Sequence, residues 1–182
     1  MILFLYEGTA TSSDALVRKA LRIFGTEKNT EYPEDAVILR TEKGKPYFKD
    51  FPEVHFSVSH TGQMWICLMA DHNVGVDIQE KKSVRSKEIT DRYFGPSEEH
   101  YVALWGDYGF FDLWVRKEAL VKFRGTTLME EMGREVAQDG DLKDEIVIDG
   151  ETIFLAAVDM GESVKCAYAT EKKEDVSFEF LE

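Results

Sequence analysis

Cysteine, proline and basic side chains are all scarce in this chain of 182 residues. It contains only two cysteines and four prolines, and neither cysteine has a CxxC partner. Such sparse cysteine does not suggest a secreted disulfide framework, so we interpret Cys67 and Cys166 as reduced thiols in apolar segments. No proline-rich or low-complexity linker divides the chain, which favours parts that pack as one unit.

Positive charge is in short supply, since 22 lysines and arginines stand against 35 aspartates and glutamates, for a formal net charge of −13. Nucleic acids and anionic membranes attract proteins through a positive field, which this composition does not provide. We therefore expect no nucleic-acid partner and no membrane partner. A small anionic ligand stays compatible with the composition, because it needs only a local group of cations or a metal ion.

Long hydrophobic runs are lacking too, because no segment approaches the roughly 20 apolar residues of a membrane-spanning helix. The apolar start Met1–Tyr6 is followed by Glu7 and Gly8 and has no basic leader, so we interpret it as a strand rather than a signal peptide. Hydrophobic residues make up 43% of the chain, enough for a sizeable core. We expect a cytoplasmic protein of one domain or two small halves.

Hydrophobic periodicity predicts strands and helices along the whole chain. The first helix should run from Ser12 to about Phe24 and end at Gly25, and a turn is expected at 42–46. After the first strand, the predicted strands are Val37–Arg40, Val54–Ser59, Trp65–Ala70, Val74–Ile78, Glu145–Ile148, Thr152–Val158, Val164–Thr170 and Val176–Leu181. The later predicted helices are Ser86–Phe94, Pro96–Trp105, Phe110–Arg124 and a short piece at Leu128–Met132, with a loop at Gly106–Gly109.

A faint internal repeat is visible, because Ile153 to Leu181 follows the same succession of strands and turns as His55 to Ile78. We interpret it as a duplication of one small α+β unit. The predicted fold is therefore α+β, with two similar halves related by a pseudo-two-fold axis and mainly antiparallel sheets covered by helices. The expected halves are residues 1–73 and 74–182.

Asp77 is the polar member of an otherwise apolar strand, Val74–Ile78. Because side chains alternate along a strand, Asp77 shares a face with Gly75 and Gln79, and Gly75 leaves space above the sheet. A carboxylate on a buried face is costly unless it meets a cation or a metal ion. The alternative is an aspartate at a strand end that caps a loop.

The predicted helix around Leu113–Lys122 carries an acid, Glu118, between two lysines, Lys117 and Lys122. Residues four apart share a helix face, so Trp114, Glu118 and Lys122 line up. Apolar neighbours indicate a largely buried helix, which favours a functional pair over an ordinary surface Glu–Lys pair. With the strand carboxylate, these groups offer the two hard oxygen ligands and the ammonium groups that suit a magnesium-bound diphosphate.

Three further residues can bind phosphate. Ser59 and His60 are adjacent on a strand, so they point to opposite faces and do not form a nucleophile–base pair. Each can still donate a hydrogen bond to a phosphate at the strand end. Lys45 lies between Gly44, which lets a ligand approach the backbone, and Pro46, which restricts the turn. The alternative for Lys45 is a solvated turn lysine.

Four motifs occur in the order seen in 4′-phosphopantetheinyl transferases, a family that the chain resembles over roughly residues 12 to 170. Among them, the two that contain Asp77 and Glu118 are specific when taken together. The chain is similar to the surfactin-synthetase-activating class, a pseudo-dimer on one chain, rather than to the short class that trimerises. The four motifs are Gly44-Lys45-Pro46, Phe56–Thr61, Val74–Ile78 and Trp114–Lys122.

The resemblance implies an enzyme of the holo-[acyl-carrier-protein] synthase type. Its substrate would be coenzyme A, and its cofactor Mg²⁺, with Mn²⁺ as the alternative ion. The phosphopantetheine arm would move to a serine of an apo acyl or peptidyl carrier protein, with release of adenosine 3′,5′-bisphosphate. Fatty-acid, polyketide and nonribosomal-peptide biosynthesis all use such carriers. Two halves in one chain favour a monomer.

The resemblance also implies roles for individual residues. Asp77 and Glu118 would bind magnesium, Glu118 would take the serine proton directly or through a water, and Lys122 would stabilise charge on the diphosphate. The nucleophile belongs to the partner, so no activated serine or cysteine is needed in this chain. The expected coenzyme A ligands are Lys45, Ser59, His60, Asp77, Lys117 and Lys122.

One departure from the family pattern concerns Gln79, because the residue two positions after the strand aspartate is often acidic in this class. Gln79 is a weaker ligand, which keeps open a catalytically impaired homologue that binds coenzyme A or a carrier protein. The N-terminal part is short for this class, in which some members use upstream basic residues to hold the nucleotide 3′-phosphate. Arg40 is the candidate for that role here. A third alternative is another magnesium-dependent phosphotransferase. The sequence does not support it, because it contains no P-loop, GxGxxG or kinase motif.

Carrier proteins are usually acidic, so the net charge of −13 opposes their encounter with this chain. Docking then needs a local basic or apolar patch. The predicted patch combines Arg116 and Arg124 on the helix with Tyr108, Phe110 and Phe111 at its start.

Overall fold

The computed structural model describes residues 1–8, 12–82 and 86–182, and these residues form four helices and twelve strands. The helices are α1 (Ser13–Glu27), α2 (Ser86–Tyr93), α3 (Pro96–Arg124) and α4 (Leu128–Glu131). The strands are β1 (Ile2–Glu7), β2 (Ile38–Arg40), β3 (Pro46–Phe48), β4 (His55–Thr61), β5 (Met64–Ala70), β6 (Val74–Glu80), β7 (Ala137–Gln138), β8 (Asp141–Leu142), β9 (Glu145–Ile148), β10 (Glu151–Val158), β11 (Val164–Thr170) and β12 (Ser177–Phe180).

Two four-stranded sheets form the frame of the described residues. The first sheet has the strand order β12-β1-β5-β4, and the second sheet has the order β6-β11-β10-β9. Their pairings are antiparallel apart from β1 with β12, which run parallel. The predicted α+β class with mainly antiparallel sheets is confirmed. No helix of the described part of the chain is long and apolar enough to cross a membrane.

The two sheets stack face to face between α1 and α3, and the alternation along β1 shows how. Ile2 and Phe4 pack with α1 in one core cluster, whereas Leu3 and Leu5 pack against residues of the second sheet. This is the two-faced burial that a strand acquires when both sides of its sheet are covered. On the outer side of the second sheet, α3 covers β6, β10 and β11.

The two cysteines lie in this core, as expected. Cys67 and Cys166 are free and buried. Burial raises the pKa of the Cys166 thiol to about 12, so the thiolate is scarce at neutral pH. The interpretation of both residues as reduced core thiols is confirmed.

The edge strands β4 and β6 join the two sheets through side-chain hydroxyls. Ser57 accepts a hydrogen bond from Val76 N–H, Ser59 from Ile78 N–H and Thr61 from Glu80 N–H, at 3.0, 3.3 and 3.0 Å. These hydroxyls satisfy backbone donors of β6 that have no strand partner on that side. The ladder fixes the register of β6, and hence of Asp77, against the first sheet.

Helix α3 folds back on itself at Gly106, whose φ of 60° and ψ of −140° are not helical. Lys117 and Glu98 form an ion pair at 2.9 Å, although a straight helix would hold their Cα atoms about 28 Å apart. Residues 96–105 and 107–124 therefore pack as a helical hairpin. The predicted loop at Gly106–Gly109 is reduced to the single residue Gly106.

Two local predictions were wrong. Helix α1 continues through Gly25 to Glu27, and this glycine is required by close packing instead, since a Cβ there would lie 2.4 Å from the Thr30 carbonyl oxygen. The predicted turn at 42–46 ends before Pro46, which begins β3 and pairs with β2. A strand of three residues is too short to show an alternating pattern.

The third strand of each predicted repeat crosses to the other sheet. In the first repeat, β4 and β5 form a hairpin in the first sheet, whereas β6 lies in the second. In the other repeat, β10 and β11 lie in the second sheet and β12 lies in the first. This reciprocal exchange is what a duplicated unit would give. The pseudo-two-fold axis and the division into residues 1–73 and 74–182 stay predictions.

Candidate active site

Helix α3 lies unusually close to β6, because the residues beneath it are small. A Cβ on Gly75 would lie 2.1 Å from the Ala119 carbonyl oxygen and 2.4 Å from the Phe123 nitrogen. The neighbouring strand β11 presents Ala167 and Ala169, both fully buried. The space expected above Gly75 is therefore filled by helix backbone. This approach brings the helix residues Glu118 and Lys122 to the face of β6 that carries Asp77.

Asp77 is buried at 6% exposure, and two groups from different elements hold it. Ser59 of β4 donates a hydrogen bond to Oδ1 of Asp77 at 2.7 Å. Lys122 of α3 forms an ion pair with the same oxygen, also at 2.7 Å. A buried carboxylate needs such partners, because desolvation without them is costly. The interpretation of Asp77 as a loop-capping residue is wrong, since its partners lie on β4 and α3.

Glu118 lies one turn before Lys122 on α3 and is partly buried. Burial raises the pKa of its carboxyl, the negative charge of Asp77 raises it further, and Lys122 lowers it. The two acids are therefore close enough to repel one another, although they stand 41 positions apart in the sequence. Lys122, which contacts Asp77 at 2.7 Å, also lies within electrostatic reach of Glu118.

The donor set suits a magnesium ion only in part. Asp77 and Glu118 supply two hard carboxylate oxygens whose mutual repulsion a divalent cation would relieve, and Mg²⁺ commonly takes one or two carboxylates with phosphate and water. Gln79 is partly buried, and its amide nitrogen donates to the Glu80 carbonyl at 3.3 Å. Within the described ranges, no group of three or more acidic, histidine or cysteine side chains converges as a metal site. The residues thus fit an ion that the substrate phosphates help to hold.

A cavity of about 210 Å³ opens beside Lys122. Cationic side chains dominate its polar lining, although the chain as a whole carries −13. The β2–β3 turn supplies one wall, and the end of α3 supplies the other. Its four cations are Arg40, Lys43, Lys45 and Lys122. Three of them already have a carboxylate partner, Arg40 with Asp14 at 3.6 Å, Lys43 with Glu130 at 2.7 Å and Lys122 with Asp77 at 2.7 Å, so a bound anion would share them with these acids.

Lys45 is fixed at the C-terminal end of α3. Its ammonium donates to the side-chain oxygen of Asn73 and to the Phe123 carbonyl, one of the acceptors that a helix end leaves free. Burial lowers the pKa of Lys45 to about 8, and the Glu171 carboxylate partly opposes this shift. A partly desolvated cation interacts more strongly with a phosphate than an exposed one. Lys45 is not the solvated turn lysine of the alternative interpretation.

Ser59 and His60 point to opposite sides of β4, as their alternation predicted. Ser59 contacts Asp77 and the backbone of β6. His60 is exposed and lines another cavity, next to Ser13 and Trp65. The structure thus brings Ser59 together with Asp77 and does not bring His60 there. A role for His60 in coenzyme A binding stays a prediction.

Lys117 does not reach the candidate site, contrary to the prediction that its long side chain could. It is fully buried and pairs with Glu98 at 2.9 Å. Its ammonium also donates to the carbonyls of Met132 and Arg134, at 2.9 and 2.7 Å. One residue along a helix turns the side chain by about 100°, which directs Lys117 into the hairpin instead of toward Glu118.

The predicted docking patch was wrong for three of its members, because a docking residue must be exposed. Arg116, Phe110 and Phe111 are 5%, 2% and 3% exposed. Arg116 donates to the Lys143 carbonyl at 2.9 Å. Arg124 is partly buried and pairs with Glu131 at 2.8 Å. The fifth member, Tyr108, is 55% exposed.

Two residues near the site were missed by sequence reasoning. Asn73 links the β5–β6 turn to the helix end, and its amide donates to the Phe123 carbonyl at 2.9 Å. Nothing in its local sequence distinguishes it from an ordinary turn asparagine. Lys43 lines the cationic cavity. The signal for it was present, since Arg40, Lys43 and Lys45 form a short basic run in an acidic chain.

Comparison with known proteins gives a consistent result. The family model of the 4′-phosphopantetheinyl transferase superfamily matches residues 73–169, which include β6 and α3. A 4′-phosphopantetheinyl transferase of Bacillus subtilis is 32% identical over 136 residues, covering 69% of this chain and 59% of that protein. The 4′-phosphopantetheinyl transferase Sfp of Bacillus subtilis strain 168 is 29% identical over 178 residues, covering 90% and 75%. The transferase psf-1 of Bacillus pumilus is 35% identical over 98 residues, covering 51% and 42%.

The fold, the paired acids and the family match define the class, and the chain belongs to the 4′-phosphopantetheinyl transferase superfamily. Within it, the chain is similar to the Sfp-like transferases of Bacillus. That similarity favours the Sfp-like subtype over the holo-[acyl-carrier-protein] synthase type that the sequence suggested.

Proposed function

We propose that this protein transfers the 4′-phosphopantetheine arm of coenzyme A to a serine of an apo acyl or peptidyl carrier protein. Adenosine 3′,5′-bisphosphate is the second product. The observation that carries the proposal is the convergence of Asp77, Glu118 and Lys122 beside a cavity lined by cations. The names of the relatives support the same reaction.

Coenzyme A carries its charge on a diphosphate and a 3′-phosphate, which the cationic cavity suits. Lys45 and Lys122 lie at its inner end, next to α3, and hold the diphosphate. Arg40 at the end of β2 and Lys43 on the β2–β3 turn hold the 3′-phosphate. Lysine and arginine bind phosphate through charge-assisted hydrogen bonds, which are stronger than neutral ones.

The reaction forms one P–O bond and breaks another. The serine oxygen attacks the phosphorus that carries the pantetheine, and the diphosphate bond to the nucleotide breaks. Glu118 accepts the serine proton on a carboxylate oxygen, directly or through a water. Lys122 places positive charge where the leaving phosphate gains negative charge.

Asp77 and Glu118 are the residues that would hold a magnesium ion, with Mn²⁺ as the alternative. Bound there, the ion would neutralise charge on the diphosphate oxygens during transfer. Ser59 keeps the Asp77 carboxylate in place by its hydrogen bond at 2.7 Å. We therefore assign Ser59 to positioning Asp77.

The proposal is tested by incubating the protein with coenzyme A, Mg²⁺ and an apo carrier protein, followed by intact mass spectrometry. We expect the carrier to gain the mass of one phosphopantetheine arm. A carrier whose acceptor serine is replaced by alanine should stay unmodified, and Glu118→Gln should slow transfer at least a hundredfold. Unmodified carriers of the fatty-acid, polyketide and peptide-synthetase kinds alike would contradict the proposal.

Gln79 favours one alternative, an impaired homologue that binds coenzyme A or a carrier without turnover. A neutral amide stands where this class often has an acid, so the metal site is weaker by one charge. The same experiment separates the two, because the impaired homologue binds coenzyme A in calorimetry and leaves the carrier mass unchanged.

A further inference from the structure

Lys45 differs from the other cations of the cavity in what its ammonium contacts. The other three each have a carboxylate partner, whereas Lys45 donates to the side-chain oxygen of Asn73 and to the Phe123 carbonyl. Both acceptors are neutral, so neither cancels the charge of the ammonium. A bound anion therefore meets less competition at Lys45 than at the paired cations.

The Asn73 amide contacts Lys45 with its oxygen, because an ammonium has only donors. Its NH2 group donates to the Phe123 carbonyl at 2.9 Å, which agrees with this orientation because a carbonyl only accepts. The carbon chain of Lys45 lies beside Gly125, where a Cβ would stand 3.2 Å from Cδ of Lys45. Asn73 thus connects the β5–β6 turn, the lysine and the end of α3, and these contacts set the position of the ammonium.

Glu171 and His55 interact electrostatically with Lys45. Burial lowers the pKa of Lys45 to about 8, and the Glu171 carboxylate, which follows β11, partly opposes this shift. Burial also lowers the pKa of the His55 ring on β4, and the Lys45 charge lowers it further. A carboxylate at position 73 would stand in hydrogen-bond contact with the ammonium and would cancel much of its charge. The neutral amide of Asn73 fixes the ammonium without that loss.

An ammonium has three N–H donors, and Asn73 and the Phe123 carbonyl engage two of those of Lys45. The third is left for a ligand in the cavity that Lys45 lines. We propose that Asn73 is a positioning residue, which holds the Lys45 ammonium at the cavity through a neutral contact and leaves its charge for a phosphate of coenzyme A. The inference rests on the proposed function.

The test compares Asn73→Asp and Asn73→Ala with the control Asn29→Asp, which adds the same charge at an exposed position after α1. The titration of Lys45 is followed by NMR of isotope-labelled lysine, and Lys45→Arg identifies its signal. In Asn73→Asp we expect the midpoint to rise by about one pH unit or more, because an opposite charge favours the ammonium. In Asn73→Ala it should fall by about half a unit, because the ammonium loses an acceptor. The control should keep the wild-type midpoint.

Calorimetry with coenzyme A measures the effect of the same variants on binding. Both Asn73 variants should bind coenzyme A about tenfold more weakly than the wild type at neutral pH, and the control should bind it equally well. A general loss of stability would not move the Lys45 titration in opposite directions in the two variants. The opposite shifts therefore separate a positioning role from a merely structural one.

Wild-type titration midpoints in both Asn73 variants, or a wild-type affinity for coenzyme A in both, would overturn the proposal. If the wild type does not bind coenzyme A, the proposed function fails, and the comparison is repeated with inorganic pyrophosphate, a free diphosphate. Weaker pyrophosphate binding by the two variants then supports the positioning of Lys45 alone. Equal binding by all the proteins, or no binding by the wild type, refutes it.

Discussion

Asp77 is a buried carboxylate whose burial is offset by two polar partners in the candidate site. Its Oδ1 atom accepts a hydrogen bond from Ser59 and pairs with Lys122, so the two partners come from both sides of the site. Hydrogen bonds to a charged group contribute about 1.5–3 kcal/mol each, enough to offset much of the desolvation of one carboxylate. The carboxylate is held in a fixed position, where it can meet a cation.

Lys45 gives a prediction of pH dependence. Its pKa of about 8 means that the free protein loses this charge as the pH rises from 7 to 9, whereas an ordinary lysine keeps it. Coenzyme A binding should therefore weaken by about tenfold over that interval, if the bound phosphate keeps Lys45 protonated. Calorimetry at a series of pH values measures this change.

The control for Lys45 is Lys45→Arg, which keeps a positive charge throughout this range. Its affinity for coenzyme A should vary less with pH than that of the wild type. Parallel profiles for the two proteins would show that another group causes the change, and Lys45 would lose its assigned role.

Residue-level sequence reasoning succeeded where side-chain direction follows from periodicity alone. The spacing of four that aligned Glu118 with Lys122, and the alternation that separated Ser59 from His60, both hold in the structure. Lys117 shows the limit of that reasoning. The length of its side chain allowed contact with the site, but Glu98 and two carbonyl oxygens that pair with it come from segments whose approach no local pattern reveals.

At the scale of elements, the contact between α3 and β6 decides whether the site exists. The helix carries Glu118 and Lys122, the strand carries Asp77, and Gly75 allows their backbones to meet. Glycine in a strand interior ordinarily weakens the strand, which is consistent with a packing requirement at this position.

We predict that Gly75→Ala damages both stability and activity. The added methyl would lie 2.1 Å from the Ala119 carbonyl oxygen, so α3 must move and carry Glu118 and Lys122 away from Asp77. We expect a loss of about 1–3 kcal/mol in the free energy of unfolding and a fall of more than tenfold in kcat/KM. Urea unfolding and the transfer assay measure the two effects.

Gly133→Ala is the matched control, since a Cβ there meets nothing within 4 Å. Its stability and activity should stay close to those of the wild type. Gly75→Ala with wild-type values in both measurements would mean that the helix position is not what assembles the site.

Elements were predictable as far as their patterns are local. Strand alternation identified β4, β5, β6, β10 and β11 within a few residues, and the predicted helix end at Arg124 is the end of α3. The parallel pairing of β12 with β1 could not be foreseen, because it joins residues from opposite ends of the chain. The end of α1 was also predicted wrongly, because Gly25 is required by its close packing against Thr30 and Tyr32, which the local sequence pattern does not reveal.

At the scale of the whole molecule, the two large sheets exchange their third strands, and the candidate site lies under α3 where the edge strands β4 and β6 meet. The exchange puts Asp77 at the edge of the second sheet, where the hydroxyls of β4 reach it from the first. The cationic cavity lies at the same boundary, although the molecule carries −13 overall. A local group of cations therefore lies on a chain whose net charge is strongly negative.

The central claim is that Asp77 and Glu118 together bind a divalent cation that the coenzyme A diphosphate shares. Calorimetry of coenzyme A binding across a Mg²⁺ titration tests it most directly, with Asp77→Asn, Glu118→Gln and the control Glu80→Gln. We expect Mg²⁺ to strengthen binding about tenfold or more in the wild type and the control, and much less in the two variants. A Mg²⁺ effect of wild-type size in both variants would contradict the claim.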